Sequence, residues 1–235
     1  MPLPPHGSHV SASRYPEPDR SAGSDHSPTA TRSGQAEALL CRWPLSASPI
    51  YGLLHSEDYR TRFADNLSKQ LPRIPRVKAA DDFWAFSKAG RVLAALHVNY
   101  EQVEPYPVTF IRGDTSLVPP PDPERFYRVE QMKFAGKRPK LDRSTVIYNA
   151  SITISGIPLE AYDYVVNGKP ALEWVMERQC VKTDKASGIV NDANRYAIET
   201  VGDPVYPLRL FQRIITVSLE TMKIVKALPA LGDLS

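Results

Sequence analysis

The sequence has little cysteine and no long apolar run. Its two cysteines, Cys41 and Cys180, lie far apart in 235 residues, which argues against a disulfide framework and predicts a reducing, cytoplasmic environment. The longest apolar stretches, such as residues 214–219, are much shorter than the roughly 18 residues that cross a bilayer. Residues 1–35 also lack the apolar segment of a signal peptide. We therefore expect no membrane contact.

Motifs that bind nucleotides and cofactors are also missing. Residues 136–138 (Gly-Lys-Arg) lack the first glycine and the hydroxyl residue of a P-loop. The glycines are scattered singly and form no dinucleotide-binding fingerprint. Residues 48–51 (Ser-Pro-Ile-Tyr) come nearest to the base-holding loop of adenine methyltransferases, but they lack its second proline. The sequence predicts no catalytic residue, and no cofactor, for this chain alone.

The histidines do not form a pattern typical of a metal site. His6, His9 and His26 lie in the N-terminal segment, and their spacing fits no standard ligand set. His55 and His97 belong to two different predicted helices and could meet in space. A histidine beside apolar helix residues is usually a structural group. We predict no bound metal.

Positive charge is concentrated in one segment. The net charge of the chain is +3, but residues 128–143 alone contain six basic and two acidic residues, a local charge of +4. Such a concentration creates a local positive field that attracts anionic partners. The charges could instead simply solvate a hairpin loop.

Two regions organise the N-terminal half. Residues 1–48 read as a disordered or unrelated leader, because 1–35 hold six prolines, seven serines and three glycines without an apolar period. Residues 50–102 form a helical portion. Its first predicted helix carries Tyr59, Phe63, Leu67 and Leu71 at four-residue spacing, and a second runs from Asp81 to Tyr100 and packs against it. A proline-rich link, 103–124, follows as an extended crossing.

The C-terminal half, residues 125–230, mixes strands and helices. Alternation over Val146–Ile154 predicts one half-buried strand, with Phe126–Phe134 as its partner and 137–143 as the connecting loop. A third strand over Tyr162–Val166 ends at Asn167-Gly168. Helices are predicted from Pro170 to Cys180 and from Pro207 to Ala227, and we assign Tyr164 and Trp174 to the core. The fold class is α+β, with helices at both ends around a small antiparallel β-sheet.

Two surfaces are candidates for DNA binding, because lysine and arginine bind phosphates while arginine and asparagine also pair with base edges. The first is the basic segment with Lys133, Lys137, Arg138, Lys140 and Arg143. The second is a polar loop with Lys182, Lys185, Asn191, Asn194 and Arg195. Asp184, Ser187 and Asp192 are also good turn and cap residues, so a structural role for the second surface is equally open.

A family resemblance gives these surfaces a context. It is carried by short strings in a fixed order: Tyr51-Gly-Leu-Leu-His55, Leu71-Pro-Arg-Ile-Pro75, Asn99-Tyr100-Glu101, Gly156-Ile-Pro158, Ala171-Leu-Glu-Trp174 and the run from Thr183 to Asp192. From about Ile50 to Leu228 the chain resembles the C-terminal specificity domain of Type ISP restriction-modification enzymes.

The resemblance implies a bacterial-defence module that recognises a target in double-stranded DNA. In that family a nuclease, a helicase-like ATPase and an adenine methyltransferase precede this domain in one polypeptide. The resemblance therefore also implies the methyltransferase and helicase portion as a partner. We interpret the chain as a truncated or split enzyme without those parts, and truncation is favoured because residues 1–48 show no sign of folding.

Two alternatives stay open. The helical portion, residues 50–102, could dock on a partner protein, so that the chain is a non-catalytic docking module. The chain could also be a non-functional gene remnant. Specific DNA binding weakens steeply with salt, whereas apolar docking does not.

Overall fold

The structure, a computed structural model, describes residues 47–67, 69–116 and 118–232. Residues 1–46 of the predicted leader, with Cys41 and the three N-terminal histidines, lie outside the described residues. The helices are α1 (Ala47–His55), α2 (Glu57–Arg62), α3 (Ala64–Leu67), α4 (Ala80–Val98), α5 (Pro123–Tyr127), α6 (Ala171–Arg178), α7 (Ala193–Tyr196) and α8 (Tyr206–Lys226). The strands are β1 (Thr109–Arg112), β2 (Lys133–Lys137), β3 (Lys140–Ile147), β4 (Thr153–Ser155), β5 (Val165–Val166), β6 (Lys169–Pro170), β7 (Val181–Thr183) and β8 (Val190–Asp192).

Helices α1 and α4 pack closely because glycines lie at their contact. A Cβ atom on Gly90 would overlap the carbonyl oxygen of Ser48, and one on Gly52 would overlap that of Phe86. Each helix therefore presents backbone to the other, and larger side chains cannot be accommodated without separating them. The second predicted helix is α4 to within a few residues, but its main partner is α1 and not the segment after Tyr59.

The first predicted helix was too long. Helix α2 ends at Arg62, α3 holds only four residues, and Leu71 is 87% exposed. Residues that precede prolines are biased away from helical conformation, and Pro72 directly follows Leu71. Tyr59 is nevertheless buried, as its position in the stripe predicted, and its hydroxyl donates to the carbonyl of Arg73 at 2.8 Å.

The C-terminal end of the chain completes the core of the helical portion. Leu231 is buried with Leu53, Tyr59 and Phe86. The Leu231 amide donates to Asp58 at 2.8 Å, and its carbonyl accepts from the Arg62 guanidinium at 2.6 Å. The helical portion is therefore closed by residues that follow the last helix.

The proline-rich link is fixed to α8, and it also supplies a strand. Thr216 donates to the Glu104 carbonyl at 2.9 Å, and the Tyr106 amide donates to the Gln212 carbonyl at 3.1 Å. Farther on, the link forms β1, which pairs with β4. These contacts join the helical portion to the rest of the fold.

A four-stranded antiparallel sheet has the order β1-β4-β3-β2. The single strand predicted over Val146–Ile154 is two strands, β3 and β4, separated by a turn. Asn149 builds this turn, because its side-chain oxygen accepts from the amides of Ser151 and Ile152 at 2.8 and 2.7 Å. The alternation misled the prediction because Tyr148 and Ile152, on either side of the turn, are both buried.

The partner strand predicted over Phe126–Phe134 was also misplaced. Its first residues belong to α5, whose N-terminus is capped by the Asp122 carboxylate at 3.0 Å from the Arg125 amide. The strand itself, β2, begins only at Lys133. Helix capping by aspartate competes locally with extended structure.

The third predicted strand is also mostly something else. Its first residue, Tyr162, ends a 3-10 helix that spans Leu159–Tyr162, and only its last two residues form a strand, β5. Its predicted end is confirmed, since Asn167 and Gly168 both have positive φ angles and turn the chain into β6.

The main core lies between the sheet and the last two long helices, α6 and α8, whose predicted spans are confirmed to within two residues. Its largest fully buried members include Tyr148, Ile152, Ile154, Ile157, Leu172, Phe211 and Ile215. Tyr164 and Trp174, which were predicted to lie in the core, are only half buried and stand outside it. For Trp174 the polar end explains this, since the indole nitrogen donates to the Val166 carbonyl at 2.8 Å near the surface.

The observed architecture confirms the α+β class, with helices at both ends of a small antiparallel sheet. Among the described residues, none of the helices is long and apolar enough to cross a membrane.

Candidate nucleic-acid interface

The basic segment forms the β2–β3 hairpin. Lys137 and Lys140 are paired across its end, so only Arg138 and Pro139 form the turn. Gly136 has a φ of 84°, and a Cβ there would lie 2.8 Å from the Lys140 carbonyl oxygen. The tight turn therefore requires glycine at this position. The connecting loop predicted over 137–143 is shorter than expected, because strand β3 already begins at Lys140.

Four of the five predicted cations of this hairpin project freely. The side chains of Lys133, Lys137, Arg138 and Lys140 are exposed. Within the described part of the chain none of these four forms an ion pair, whereas nine other basic–acidic pairs do form. Lys137, Arg138 and Lys140 make the end of the hairpin a positively charged projection suited to an anionic partner, and Lys133 lies at its base opposite Ile147.

Arg143 is held differently from these four. It lies where β3 bulges, since Phe134 pairs with Val146 but the next residue of β2 pairs with Asp142. The Arg143 guanidinium lies 3.1 Å from Glu173 and 5.5 Å from the centre of the Tyr162 ring. Its side chain remains 50% exposed. Arg143 thus fastens the base of the hairpin to α6 while part of it stays accessible.

The second predicted surface is the β7–β8 hairpin. One carboxylate oxygen of Asp184 accepts from the Ala186 amide, the Ser187 amide and the Ser187 hydroxyl at 3.0, 2.8 and 2.9 Å. These hydrogen bonds stabilise the charged form and lower the pKa of Asp184. Asp184 and Ser187 therefore have the turn role that the sequence allowed, and the loop they hold is pre-ordered.

This hairpin and the helix after it present most of the predicted side chains to solvent. Lys182, Lys185 and Asn191 are exposed. Arg195 is also exposed, but it lies 3.7 Å from Glu199 on the same helical face. A loosely held surface pair of this kind breaks at little cost.

Asn194 was predicted to be a binding residue of this surface, but that prediction is wrong because the residue is buried. Only 5% of the residue is exposed. Its side-chain oxygen accepts from the Val129 amide at 2.8 Å, and its nitrogen donates to the Val129 carbonyl at 2.9 Å. A buried amide whose groups are already bonded offers nothing to a ligand on the surface. Its role is to join α7 to the segment before β2.

The segment before β2 also joins the bases of the two hairpins. The Val181 amide donates to the Glu130 carbonyl at 3.0 Å. Arg128 contacts the carboxylates of Glu130 and Asp192 at 2.7 and 3.3 Å. The two basic hairpins thus rise from one shared base that these contacts hold together.

This pair of hairpins lies within a known family of domains. A family model described as the Type ISP C-terminal specificity domain matches residues 49–210. The chain belongs to this family. The match begins at α1 and includes both hairpins, so the Type ISP domain comprises the helical portion as well as the sheet.

Three solved structures, two of them of Type ISP enzymes, resemble the chain over most of its length. A nuclease-deletion mutant of LlaGI, in complex with a DNA substrate mimic, is 40% identical over 79% of this chain, with a TM-score of 0.64. LlaBIII bound to DNA is 36% identical over 87%, with a TM-score of 0.67. A DrdV–DNA complex is 31% identical over 79%, with a TM-score of 0.61.

The chain spans only 14%, 12% and 18% of the lengths of the LlaGI, LlaBIII and DrdV chains, respectively. It therefore corresponds to one domain of much longer enzymes. A comparison with curated proteins gives no match.

The two described histidines of this Type ISP domain do meet in space. The His55 and His97 rings lie 5.4 Å apart. His97 bonds the Tyr51 hydroxyl at 2.7 Å and the Thr221 hydroxyl at 2.8 Å, so both ring nitrogens are occupied. Burial lowers the pKa of His97 to about 4. The ring is neutral at pH 7 and ties α1, α4 and α8 together.

The described residues contain no cluster of side chains that could hold a metal ion. Nowhere between residues 47 and 232, residues 68 and 117 aside, do three histidine, cysteine or acidic side chains cluster as ligands. Cys180 is a buried free thiol that contacts the Glu177 carbonyl at 3.0 Å.

Sequence reasoning missed one exposed cation beside the predicted set. Arg112 lies on β1 and forms no ion pair with any described residue. Arg112 could not be predicted as a surface cation of a sheet, because a strand inside a proline-rich link cannot be identified until its pairing with β4 is known.

Proposed function

We propose that the chain recognises double-stranded DNA as the target-recognition part of a Type ISP restriction-modification system. The observation that carries the proposal is the β2–β3 hairpin, which has three exposed cations at its turn and Lys133 at its base, none of them paired with an acidic residue that the structure describes. Three related enzymes whose structures contain DNA or a DNA mimic support it.

The hairpin cations bind phosphates in this proposal. Lys133, Lys137, Arg138 and Lys140 gain affinity because each phosphate contact releases condensed counterions. Arg138 stands at the turn, where its guanidinium is also suited to a bidentate contact with guanine in the major groove. Arg143 contributes its exposed half.

The β7–β8 hairpin supplies the second set of contacts. Lys182, Lys185 and Arg195 provide charge, and Asn191 has an exposed side-chain amide that can pair with adenine. We leave Asn194 out of the interface because its amide is bonded to Val129. A loop that is already ordered loses less entropy on binding.

We further propose that residues 50–102, joined by the link 103–124 to the recognition portion 125–230, adjoin a methyltransferase and helicase portion. The chain corresponds to a small share of its relatives' lengths, and α4 has exposed apolar side chains that suit a protein contact. Trp84 on that helix is 58% exposed and Val92 is 44% exposed.

Docking on a partner protein without DNA binding is the second candidate function. The exposed apolar side chains of α4 favour it. In that case apolar surface, and not the hairpin cations, determines the affinity for the partner. The two candidates are separated by charge-removing variants.

The test is a fluorescence-anisotropy titration of the full chain against a random-sequence duplex. The variant Lys137→Ala/Arg138→Ala/Lys140→Ala removes three charges from the hairpin. A matched control, Lys69→Ala/Lys78→Ala/Lys88→Ala, removes three exposed charges from the helical portion. We expect the hairpin variant to bind DNA at least about tenfold more weakly than the wild-type chain. The slope of log K against log salt concentration should be shallower by about 2 to 3.

The control variant keeps wild-type affinity if the proposal is right. Arg143 is left intact so that neither variant loosens the hairpin from α6. Equal losses of DNA affinity in the two variants would contradict the proposal and indicate general charge attraction. Absence of binding by the folded wild-type chain at low salt would rule out DNA recognition by this chain.

A further inference from the structure

The four-stranded sheet has one face in the core and one face open. Across the four strands, Phe110, Ile154, Val146 and Phe134 are aligned in register. Ile154 and Val146 are fully buried, and both phenylalanines pack against the main core. This row defines the inner face of the sheet.

The neighbouring row lies on the opposite face, because side chains alternate along a strand. It consists of Arg112, Thr153, Ile147 and Lys133, again aligned in register across β1, β4, β3 and β2. Although Ile111 bulges out of the β1 pairing, Arg112 still faces Thr153.

The two ends of this open row are cationic. Arg112 and Lys133 are exposed, and neither forms an ion pair with a residue that the structure describes. Between them, Ile147 is 40% exposed and Thr153 is half buried. The row is therefore a strip with a positive charge at each edge and small or apolar groups in the middle.

The dimensions of the strip suit a duplex groove. Strands in a sheet lie about 4.8 Å apart, so the backbones of Arg112 and Lys133, three spacings apart, are separated by about 14 Å. The major groove of B-DNA is roughly 12 Å wide. Both side chains are long, so each can reach the phosphates along one side of such a groove.

We propose that the open face of the sheet is part of the DNA interface, with Arg112 and Lys133 bound to phosphates of opposite strands. This inference rests on the proposed function. Thr153 and Ile147 then face the groove, where a hydroxyl and a methyl group can contact base edges. Arg112 becomes a binding residue that lies far in sequence from both basic hairpins.

The test is phosphate-ethylation interference, in which an ethylated phosphate that the protein normally contacts blocks binding. The full chain is bound to a duplex selected from a random pool. For Arg112→Ala we expect interference to disappear at a phosphate of one strand, and for Lys133→Ala at a phosphate of the other strand. For each alanine variant the slope of log K against log salt concentration should be shallower by about 0.9. The variant Arg112→Lys should keep most of the wild-type binding.

Arg76→Ala is the matched control, because Arg76 is an exposed arginine of the helical portion without an ion pair among the described residues. It should keep the wild-type interference pattern. Circular dichroism and thermal melting establish that each variant is folded before it is titrated.

These experiments distinguish failure of the sheet-face inference from failure of the proposed function. If the wild-type chain binds DNA and the hairpin variant weakens binding while Arg112→Ala does not, the open sheet face is not in the interface and the proposed function stands. If Arg112→Ala and Lys133→Ala remove interference on the same strand, the groove-spanning arrangement is wrong. Absence of wild-type binding overturns both proposals.

Discussion

At the scale of single residues, equal charge does not mean equal surroundings. Lys140 and Arg143 are three positions apart in one strand, yet Lys140 has no ion pair in the described part of the chain and Arg143 contacts Glu173. The sequence correctly indicated a basic hairpin. It could not separate free cations from a fastened one, because Glu173 lies thirty positions away and is brought near only by the packing of α6.

Asn194 shows the same limit for a polar residue. We predict that Asn194→Ala lowers the free energy of unfolding by about 2 kcal/mol, because the Val129 amide and carbonyl lose their buried partner. Asn191→Ala is the matched control and should change the stability by less than about 0.5 kcal/mol, since Asn191 is exposed. Urea denaturation of both variants measures the difference, and similar values would contradict the structural role of Asn194.

His97 gives a prediction about pH. Its folded-state pKa of about 4 lies below its ordinary value of 6.5, because burial disfavours the charged ring and His55 lies nearby. Above pH 6.5 the ring is neutral in both states, and below it the unfolded chain takes up a proton that the folded chain does not. Stability should therefore fall as the pH decreases from 6.5 towards 4, by at most about 1.4 kcal/mol per pH unit for this histidine.

The comparison variant for this titration is His97→Gln, whose amide can still bond the Tyr51 and Thr221 hydroxyls. Carboxylates and His55 contribute to both proteins, so the difference between the two stability curves isolates His97. Parallel curves between pH 6.5 and 4 would show that His97 does not titrate as the structure predicts.

At the scale of elements, the long C-terminal helices could be predicted from sequence, and the small strands could not. Buried positions recur along helix α8 at helical spacing, and they include Phe211, Ile215, Ser218 and Val225. In the sheet, the two-residue period ran on through the Asn149 turn, because Ile152 lies four positions after Tyr148, an even offset, and both residues are buried. Periodicity identifies a face, but only hydrogen bonding shows where the chain reverses.

The α1–α4 contact gives an element-scale prediction. Gly90→Ala should destabilise the protein by about 3 kcal/mol or more, because the new methyl group overlaps the Ser48 carbonyl and the two helices must separate. Alanine at Gly232, with no atom within 4 Å of its added Cβ, is the control and should be tolerated. Thermal denaturation compares the two, and a stable Gly90→Ala protein would mean that the helices are not in close contact.

At the scale of the whole molecule, the helical portion and the part of the chain that contains the sheet are joined at several places. The C-terminal Leu231 packs into the helical core, and the link is bonded along α8. The resemblance to a family could be found from short strings in the sequence. The closing contact of Leu231 could not, because it joins residues about 170 positions apart.

This closure predicts that Leu231→Ala destabilises the helical portion by about 2 to 4 kcal/mol, the usual range for truncating a buried leucine. Hydrogen exchange should show faster opening of α1 and α2 first, while the sheet keeps its protection. Leu159→Ala, at an exposed leucine, is the control. Uniform loss of protection across the sheet would indicate one cooperative unit without a separable helical core.

The central claim is that the two basic hairpins bind the phosphates of a DNA duplex. The most direct measurement is the affinity of the full wild-type chain for duplex DNA over a series of salt concentrations. We predict a linear fall of log K with log salt and a slope near −4 or steeper, as expected when at least four or five cations contact phosphates. A slope close to zero, or no binding at low salt by the folded chain, would contradict the claim.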